Sequence, residues 1–175
     1  AFTGELLWST GIDFSNFDAW LPVIYGDTVY AYAQDMLAID PQTGETYYKA
    51  PKEEIPYEFF SPFGIDAGTV MDTLNRQLIL CSSEYIHAYS LDDQKINWTL
   101  SDDSGGRFES LPALYEDKLY VKSADYISEF DLLTGELLWQ FEFPTSVAQS
   151  NTPVVSEDIL AVTYYNQTYV FDRQS

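Results

Sequence analysis

The sequence predicts an all-β fold built from repeats, and three observations predict it. A nine-residue motif, Asp131-Leu-Leu-Thr-Gly-Glu-Leu-Leu-Trp139, recurs in weaker copies. These are Asp40-Pro-Gln-Thr-Gly-Glu-Thr-Tyr-Tyr48, the worn Ser90-Leu-Asp-Asp-Gln-Lys-Ile-Asn-Trp98, and an opening half copy, Thr3-Gly4-Glu5-Leu6-Leu7-Trp8. The aromatic residues that close the copies stand at 8, 48, 98 and 139, spaced 40, 50 and 41 residues apart, and a period near 40 marks a repeat architecture. Short segments of period two, such as Thr28-Val29-Tyr30-Ala31-Tyr32, fill the intervals as half-buried strands do.

Within each copy, Thr-Gly is turn chemistry. Glycine takes positive φ without steric cost, and Asp and Thr side chains bond the turn's own backbone. The apolar runs on either side are strands, and the closing Trp or Tyr projects from the second of them toward a neighbouring unit. A tryptophan covers roughly 150–250 Å², so its burial stabilises by up to ~4–6 kcal/mol. Trp8, Gly44, Tyr48, Trp98, Gly135 and Trp139 are therefore predicted to be structural docking residues.

Taken in order, residues 4–8 form a strand with no partner nearby in sequence. The first unit runs from Leu21-Pro22-Val23 through a turn at Gly26-Asp27, strands at 28–32 and 36–40, a turn at Pro41–Gly44 and a last strand at 45–48. The second gives strands at 70–72, 77–81, 85–89 and 95–100; the third at 111–114, 119–122, 126–131 and 136–141; the fourth at 152–155, 159–163 and 168–172 only. Pro22, Pro112 and Pro153 align at strand starts, where no ladder donor is needed. The fourth unit lacks its fourth strand, and the chain's opening supplies one that has no unit. Arg173-Gln174-Ser175 falls over Ala1-Phe2-Thr3 when Asp172 is aligned. The pattern predicts one domain over 1–175, a four-bladed β-propeller of four-stranded antiparallel blades at about 20–49, 68–100, 110–142 and 151–175 plus 1–9. The N-terminal strand closes the ring and leaves no open edge.

Composition narrows the function. Eight basic against 28 acidic residues leave a formal charge of −20, which repels phosphate backbones and excludes nucleic acid as a partner. Basic proteins, cations and neutral sugars stay open. One cysteine, Cys81, permits no intrachain disulfide and no CxxC metal site, and one histidine, His87, builds no histidine metal centre by itself. No run approaches a transmembrane helix, and no signal peptide is present. The first residue is Ala1 rather than Met, as in a mature protein or an excised domain. The acidic pairs Asp92-Asp93 and Asp102-Asp103 fit no calcium loop, Ser104-Gly105-Gly106 has no strand-to-helix context, and no Ser/His/Asp set is credible. No catalytic, cofactor or metal residue is assigned.

The units resemble those of the pyrroloquinoline-quinone (PQQ)-like β-propeller family, whose tryptophan-docking motif reads roughly Ala-x-Asp-x-x-Thr-Gly-x-x-x-Trp. Ala38, Asp40, Thr43, Gly44 and Tyr48 match it in the first unit, and Asp131, Thr134, Gly135 and Trp139 in the third. The second unit keeps Ala88 and Trp98 but carries Ser90, Asp93 and Gln94 where Asp, Thr and Gly are expected. The resemblance covers nearly the whole chain. Members commonly have more blades, often eight, so the chain is expected to be either a monomeric ring or half of a larger propeller. The family's quinone-dependent dehydrogenases carry an adjacent cysteine pair and calcium ligands, which a chain with Cys81 alone does not reproduce. Its non-enzymatic members include envelope assembly scaffolds and extracytoplasmic sensor domains, and the resemblance implies an extracytoplasmic, non-catalytic chain without cofactor.

The candidate binding surface is read from the loops. Short turns lie on one face of the ring. The long blade-to-blade connections, 9–19, 49–68, 101–110 and 142–151, lie on the other. They carry Phe14, Phe17, Tyr57, Phe59, Phe60, Phe63 and Phe108 among Asp13, Asp18, Glu53, Glu54, Glu58, Asp102 and Asp103. Loops on a rigid scaffold concentrate binding function, so these aromatics either present a surface to a protein or carbohydrate partner or fold back to plug the ring. Two further readings stand beside that binding module. One is a quinone-dependent or sugar-acting enzyme; the other is a purely architectural domain.

Overall fold

A computed structural model describes residues 4–9, 21–32, 36–50, 68–82, 84–101, 108, 110–145 and 151–174. Strands β1 (Val23–Tyr25), β2 (Thr28–Tyr32), β3 (Met36–Ile39) and β4 (Thr46–Ala50) form blade one. Blade two holds β5 (Gly68–Asp72), β6 (Gln77–Cys81), β7 (Tyr85–Ser90) and β8 (Lys95–Ser101). Blade three holds β9 (Ala113–Tyr115), β10 (Lys118–Lys122), β11 (Tyr126–Asp131) and β12 (Leu137–Glu142). Blade four holds β13 (Val154–Val155), β14 (Ile159–Tyr164) and β15 (Gln167–Asp172). Each sheet is an antiparallel meander in chain order. Pro22, Pro112 and Pro153 each stand one residue before an innermost strand, outside the ladder that a proline cannot serve.

Alternation along the strands decides which blade each side chain meets. In β10, Leu119 and Val121 join a core with Ile79, Cys81 and Ile86 of blade two, while Tyr120 joins a core with Leu160, Val162 and Tyr164 of blade four. A third core unites Met36 and Ala50 of blade one with Leu78, Leu80 and Tyr89 of blade two. Blade two is covered on both faces, and all five residues of β6 are buried. That is why Leu78-Ile79-Leu80-Cys81 reads as an unbroken apolar run. Burial pushes the Cys81 thiol up, away from the reactive thiolate.

Several polar groups inside these interfaces are paired. Buried Asp72 accepts from the backbone N–H groups of Leu74 (2.9 Å) and Asn75 (3.1 Å) and from Gln77 Nε2 (2.9 Å). Gln77 Nε2 also donates to the Leu132 carbonyl at 2.8 Å, tying blade two to blade three. Arg173 does the same between blades three and four: its guanidinium lies over the Tyr115 ring at 4.2 Å, and Nε donates to Tyr120 Oη at 2.9 Å.

The predicted ring closure is not what the described residues show. Residues 4–9 lie outside every sheet, blade four has three strands, and the three apolar cores join blades one to two, two to three and three to four. The segment 4–9 is held instead against blade one through Trp8. The fold is thus all-β and propeller-like, its four sheets joined in chain order among the described residues.

His87 lies in β7, buried, with Nδ1 at 2.6 Å from Thr99 Oγ1 and its ring stacked on Tyr85 at 5.9 Å. Burial pushes its pKa down to about 4. The unfolded chain therefore binds a proton at this residue between pH of about 6.5 and 4 that the folded chain refuses, and stability falls as pH drops through that window. Urea unfolding midpoints should decline over it for the parent and decline less for His87→Gln. Parallel profiles for the two proteins would show that His87 is not the cause.

Candidate functional site: interblade docking and the long-connection face

The motif's glycine and its aromatic residue meet across the blade boundary. Gly44 has φ +74°, and a Cβ there would stand 2.7 Å from Trp8 Cδ2. Gly135 has the same φ, and a Cβ there would stand 2.9 Å from Trp98 Cδ2. Each indole packs flat on a turn that only glycine can make at that distance. Each also donates Nε1–H to the carbonyl one residue after the motif aspartate, Trp8 to Pro41 at 2.8 Å and Trp98 to Leu132 at 3.2 Å. The aspartate shapes the turn: Asp131 Oδ1 accepts from the N–H groups of Leu133 (3.0 Å) and Thr134 (2.8 Å), and Asp40 Oδ1 from those of Gln42 and Thr43. The Thr134 and Thr43 backbone donors hold these two carboxyls below the usual range. A tryptophan thus docks on the turn of the following blade.

The worn copy departs as its residues require. Gln94 occupies the glycine place and still adopts φ 53°. Its incoming aromatic is Tyr48, smaller than Trp, which packs with Leu91 in the core of blades one and two and meets Tyr89 Oη at 2.8 Å. Trp139 corrects the prediction of burial. It is 37% exposed and touches Phe171 edge-on at 5.1 Å. The turn it would cover follows Asp172 and is described only to Gln174, which donates its N–H to Asp172 Oδ1 at 2.8 Å as the other motif turns do.

On the face of the long connections, Phe14, Phe17, Tyr57, Phe59, Phe60 and Phe63 fall outside the described residues. Phe108 is described, and of the two courses expected for these aromatics, presenting a surface or folding back, it takes the inward one. It is buried in the core of blades two and three and bridges to Ser123 in the β10–β11 turn. Beside it a cleft of about 420 Å³ runs between these blades, lined by Leu100, Phe108, Val121 and Phe130 on its apolar side and by Ser101, Ser123, Tyr126, Ser128 and Gln140 on its polar side. Gln140 Nε2 donates to Ser128 Oγ at 3.1 Å. Among the described residues no charged side chain lines the cleft, although the chain carries −20 overall. Its chemistry suits a neutral or apolar group presented with hydrogen-bonding backbone, as on a peptide segment. Counting from the motif aspartate, Ser128 stands where blade one has Leu37 and blade two has His87. That small residue in a core-facing series was the signal for the cleft.

A series of antiparallel meander sheets, with indole-on-glycine contacts made by Trp8 and Trp98, defines a propeller of PQQ-like repeats. The family model described as outer membrane protein assembly factor BamB matches residues 1–175, and the chain belongs to this family. Among solved structures, BamB from Moraxella catarrhalis superposes with a TM-score of 0.63 at 17% identity, over 93% of this chain and 47% of that one. The chain therefore spans about half the length of that relative. The computationally designed Ika4 protein superposes with a TM-score of 0.64 at 12% identity, over 97% and 98%. The quinohemoprotein alcohol dehydrogenase from Comamonas testosteroni does so with 0.61 at 18% identity, over 79% and 23%. No curated protein matches the chain. No helix among the described residues is long and apolar enough to cross a membrane.

Removing the docked indole should cost what other large-to-small core changes cost. Trp98→Ala is expected to lose about 3–5 kcal/mol of unfolding free energy, and Trp139→Ala, half-exposed, about 1–2 kcal/mol. Gly135→Val should resemble Trp98→Ala, because a β-branched residue resists positive φ and displaces the indole. Equal urea midpoints for the two tryptophan variants would contradict the docking geometry.

Proposed function

We propose that this chain is a non-catalytic scaffold of the cell envelope that holds a protein partner on its long-connection face during assembly of outer-membrane proteins. The observation that carries the reading is the match of the outer membrane protein assembly factor model to residues 1–175. The cleft between blades two and three supports it, because a slot whose described lining is uncharged, at the ends of rigid strands, receives a neutral side chain or an added backbone. The aromatic connections with Phe14, Phe17, Tyr57, Phe59, Phe60 and Phe63 form the remainder of the proposed surface. The single cysteine argues against the quinone-dependent alternative, since it leaves no adjacent cysteine pair. A charge of −20 steers a basic partner and gives association rates that fall with salt, whereas a sugar would show little dependence.

The test is binding of immobilised chain to a detergent-solubilised outer-membrane assembly complex, followed by surface plasmon resonance. Saturable binding is expected, weakened about tenfold or more by Ser128→Leu, which fills the cleft, and by the Phe59→Ser, Phe60→Ser double variant, with melting temperatures unchanged. Binding of oligosaccharide in place of protein, or an absorbance shift on adding PQQ with calcium, would overturn the reading.

A further inference from the structure

The boundary of blades one and two carries the worn copy of the docking motif, and it is filled differently from the boundary of blades two and three. There the Trp98 indole closes on Gly135. Here Tyr48 brings a single ring and Gln94 stands at the glycine place, and a cleft of about 100 Å³ lined by both remains. Four tyrosines form most of its wall: Tyr30, Tyr47 and Tyr48 of blade one and Tyr89 of blade two. Buried Met36 and Ala38 form its inner end, while Gln94 and Tyr47, 59% exposed, stand at its mouth. Among the described residues no charged side chain lines it.

The strand ladder gathers these rings. Tyr30 on β2 is paired with Ala38 on β3, and Ala38 with Tyr48 on β4, so two rings flank one methyl group across the sheet. The ladder shifts between Ala38 and Ile39, which leaves Tyr47 without a Cα partner. A bulge of this kind re-aims a side chain, and Tyr47 joins the wall that Tyr48 forms. The hydroxyl groups are already bonded. Tyr48 Oη lies 2.8 Å from Tyr89 Oη, and Tyr47 Oη bonds Thr28 Oγ1. Burial raises the Tyr30 pKa, so its side chain stays a neutral phenol.

We propose that this cleft is an aromatic cage for a trimethylammonium group, the head carried by choline, betaine and choline lipids. The face of a tyrosine ring is negative and attracts a cation within about 6 Å of its centre. A trimethylammonium group carries its charge without an N–H to satisfy. Rings therefore serve it, where a hydrated ammonium or a metal ion would need oxygen partners. The volume admits one small head: it is below the ~150 Å³ of a closed apolar cavity that takes up benzene, and the open mouth leaves the rest of the ligand in water. A net charge of −20 concentrates cations around the chain. Arg76, whose charge reaches Tyr30, is held by Asp92 at 3.0 Å, which offsets it. The cage lies one blade boundary away from the cleft beside Phe108 and stands independently of the partner proposed for that cleft.

Isothermal titration with choline chloride tests the cage, with the alcohol that has carbon in place of choline's nitrogen as the uncharged control. Choline is expected to saturate with a Kd of about 1 mM and to bind about tenfold or more tightly than the control. Tyr47→Leu should lose that preference with an unchanged circular dichroism spectrum, and Tyr47→Phe, which keeps a ring, should retain it. Should Tyr47→Leu fail to fold, Tyr30→Leu and Tyr30→Phe take the place of that pair. Flotation with phosphatidylcholine or phosphatidylglycerol vesicles separates the sources of the head. Capture by phosphatidylcholine alone, released by choline, assigns a lipid headgroup; choline binding without capture assigns a free solute. Absence of saturation by about 20 mM choline, equal binding of the uncharged control, or a preference that survives the leucine variant would each overturn the proposal.

Discussion

The docking of an indole against a glycine turn fixes the middle boundary of this structure and the opening segment against blade one. A four-stranded antiparallel sheet of short strands is marginal on its own, because its two apolar faces stay wet. The motif removes that weakness where it is intact, at Trp98 on Gly135 between blades two and three and at Trp8 on Gly44 of blade one. Its aspartate bonds the turn, the glycine opens room by positive φ, and the neighbouring blade's tryptophan fills the room and donates to the turn's carbonyl. The contact is local in each blade yet joins residues 33 and 34 positions apart, so one short motif sets both a hairpin and its neighbour's position.

Position in the series then decides what each blade can tolerate. Blade two, covered on both sides, has β6 wholly buried and holds Asp72 and Gln77 only because each is fully bonded. Blade four, covered on one side, alternates between buried Leu160, Val162 and Tyr164 and open Ile159 and Thr163. The same fold unit therefore carries two different sequence patterns for one reason: the number of blades beside it.

The two faces of the series differ in chemistry. Asp40 and Asp131, with the short turns they shape, occupy one face as well-bonded surface carboxylates. The cleft beside Phe108, its described lining uncharged, opens toward the other, between strands whose positions the cores of blades two and three hold fixed. A partner of the proposed kind would meet a preformed slot on a chain of net charge −20.

The sequence by itself determined the repeat, the order of strands, the turn glycines and the family, because period-two alternation and turn chemistry are local. Gly44, Gly135, Trp8 and Trp98 were legible as docking residues, since each role follows from its neighbours in the chain. Phe108 was not: an aromatic in a connection looks the same whether it faces water or a core, and only the approach of blade three buries it. Trp139 failed for the complementary reason. Its motif is the best preserved, but burial belongs to what stands opposite the ring, and there it meets only the edge of Phe171. The cleft at Ser128 and the tyrosine-lined cleft of blades one and two were likewise decided by the tertiary structure, because a cavity is a property of what stands opposite a residue.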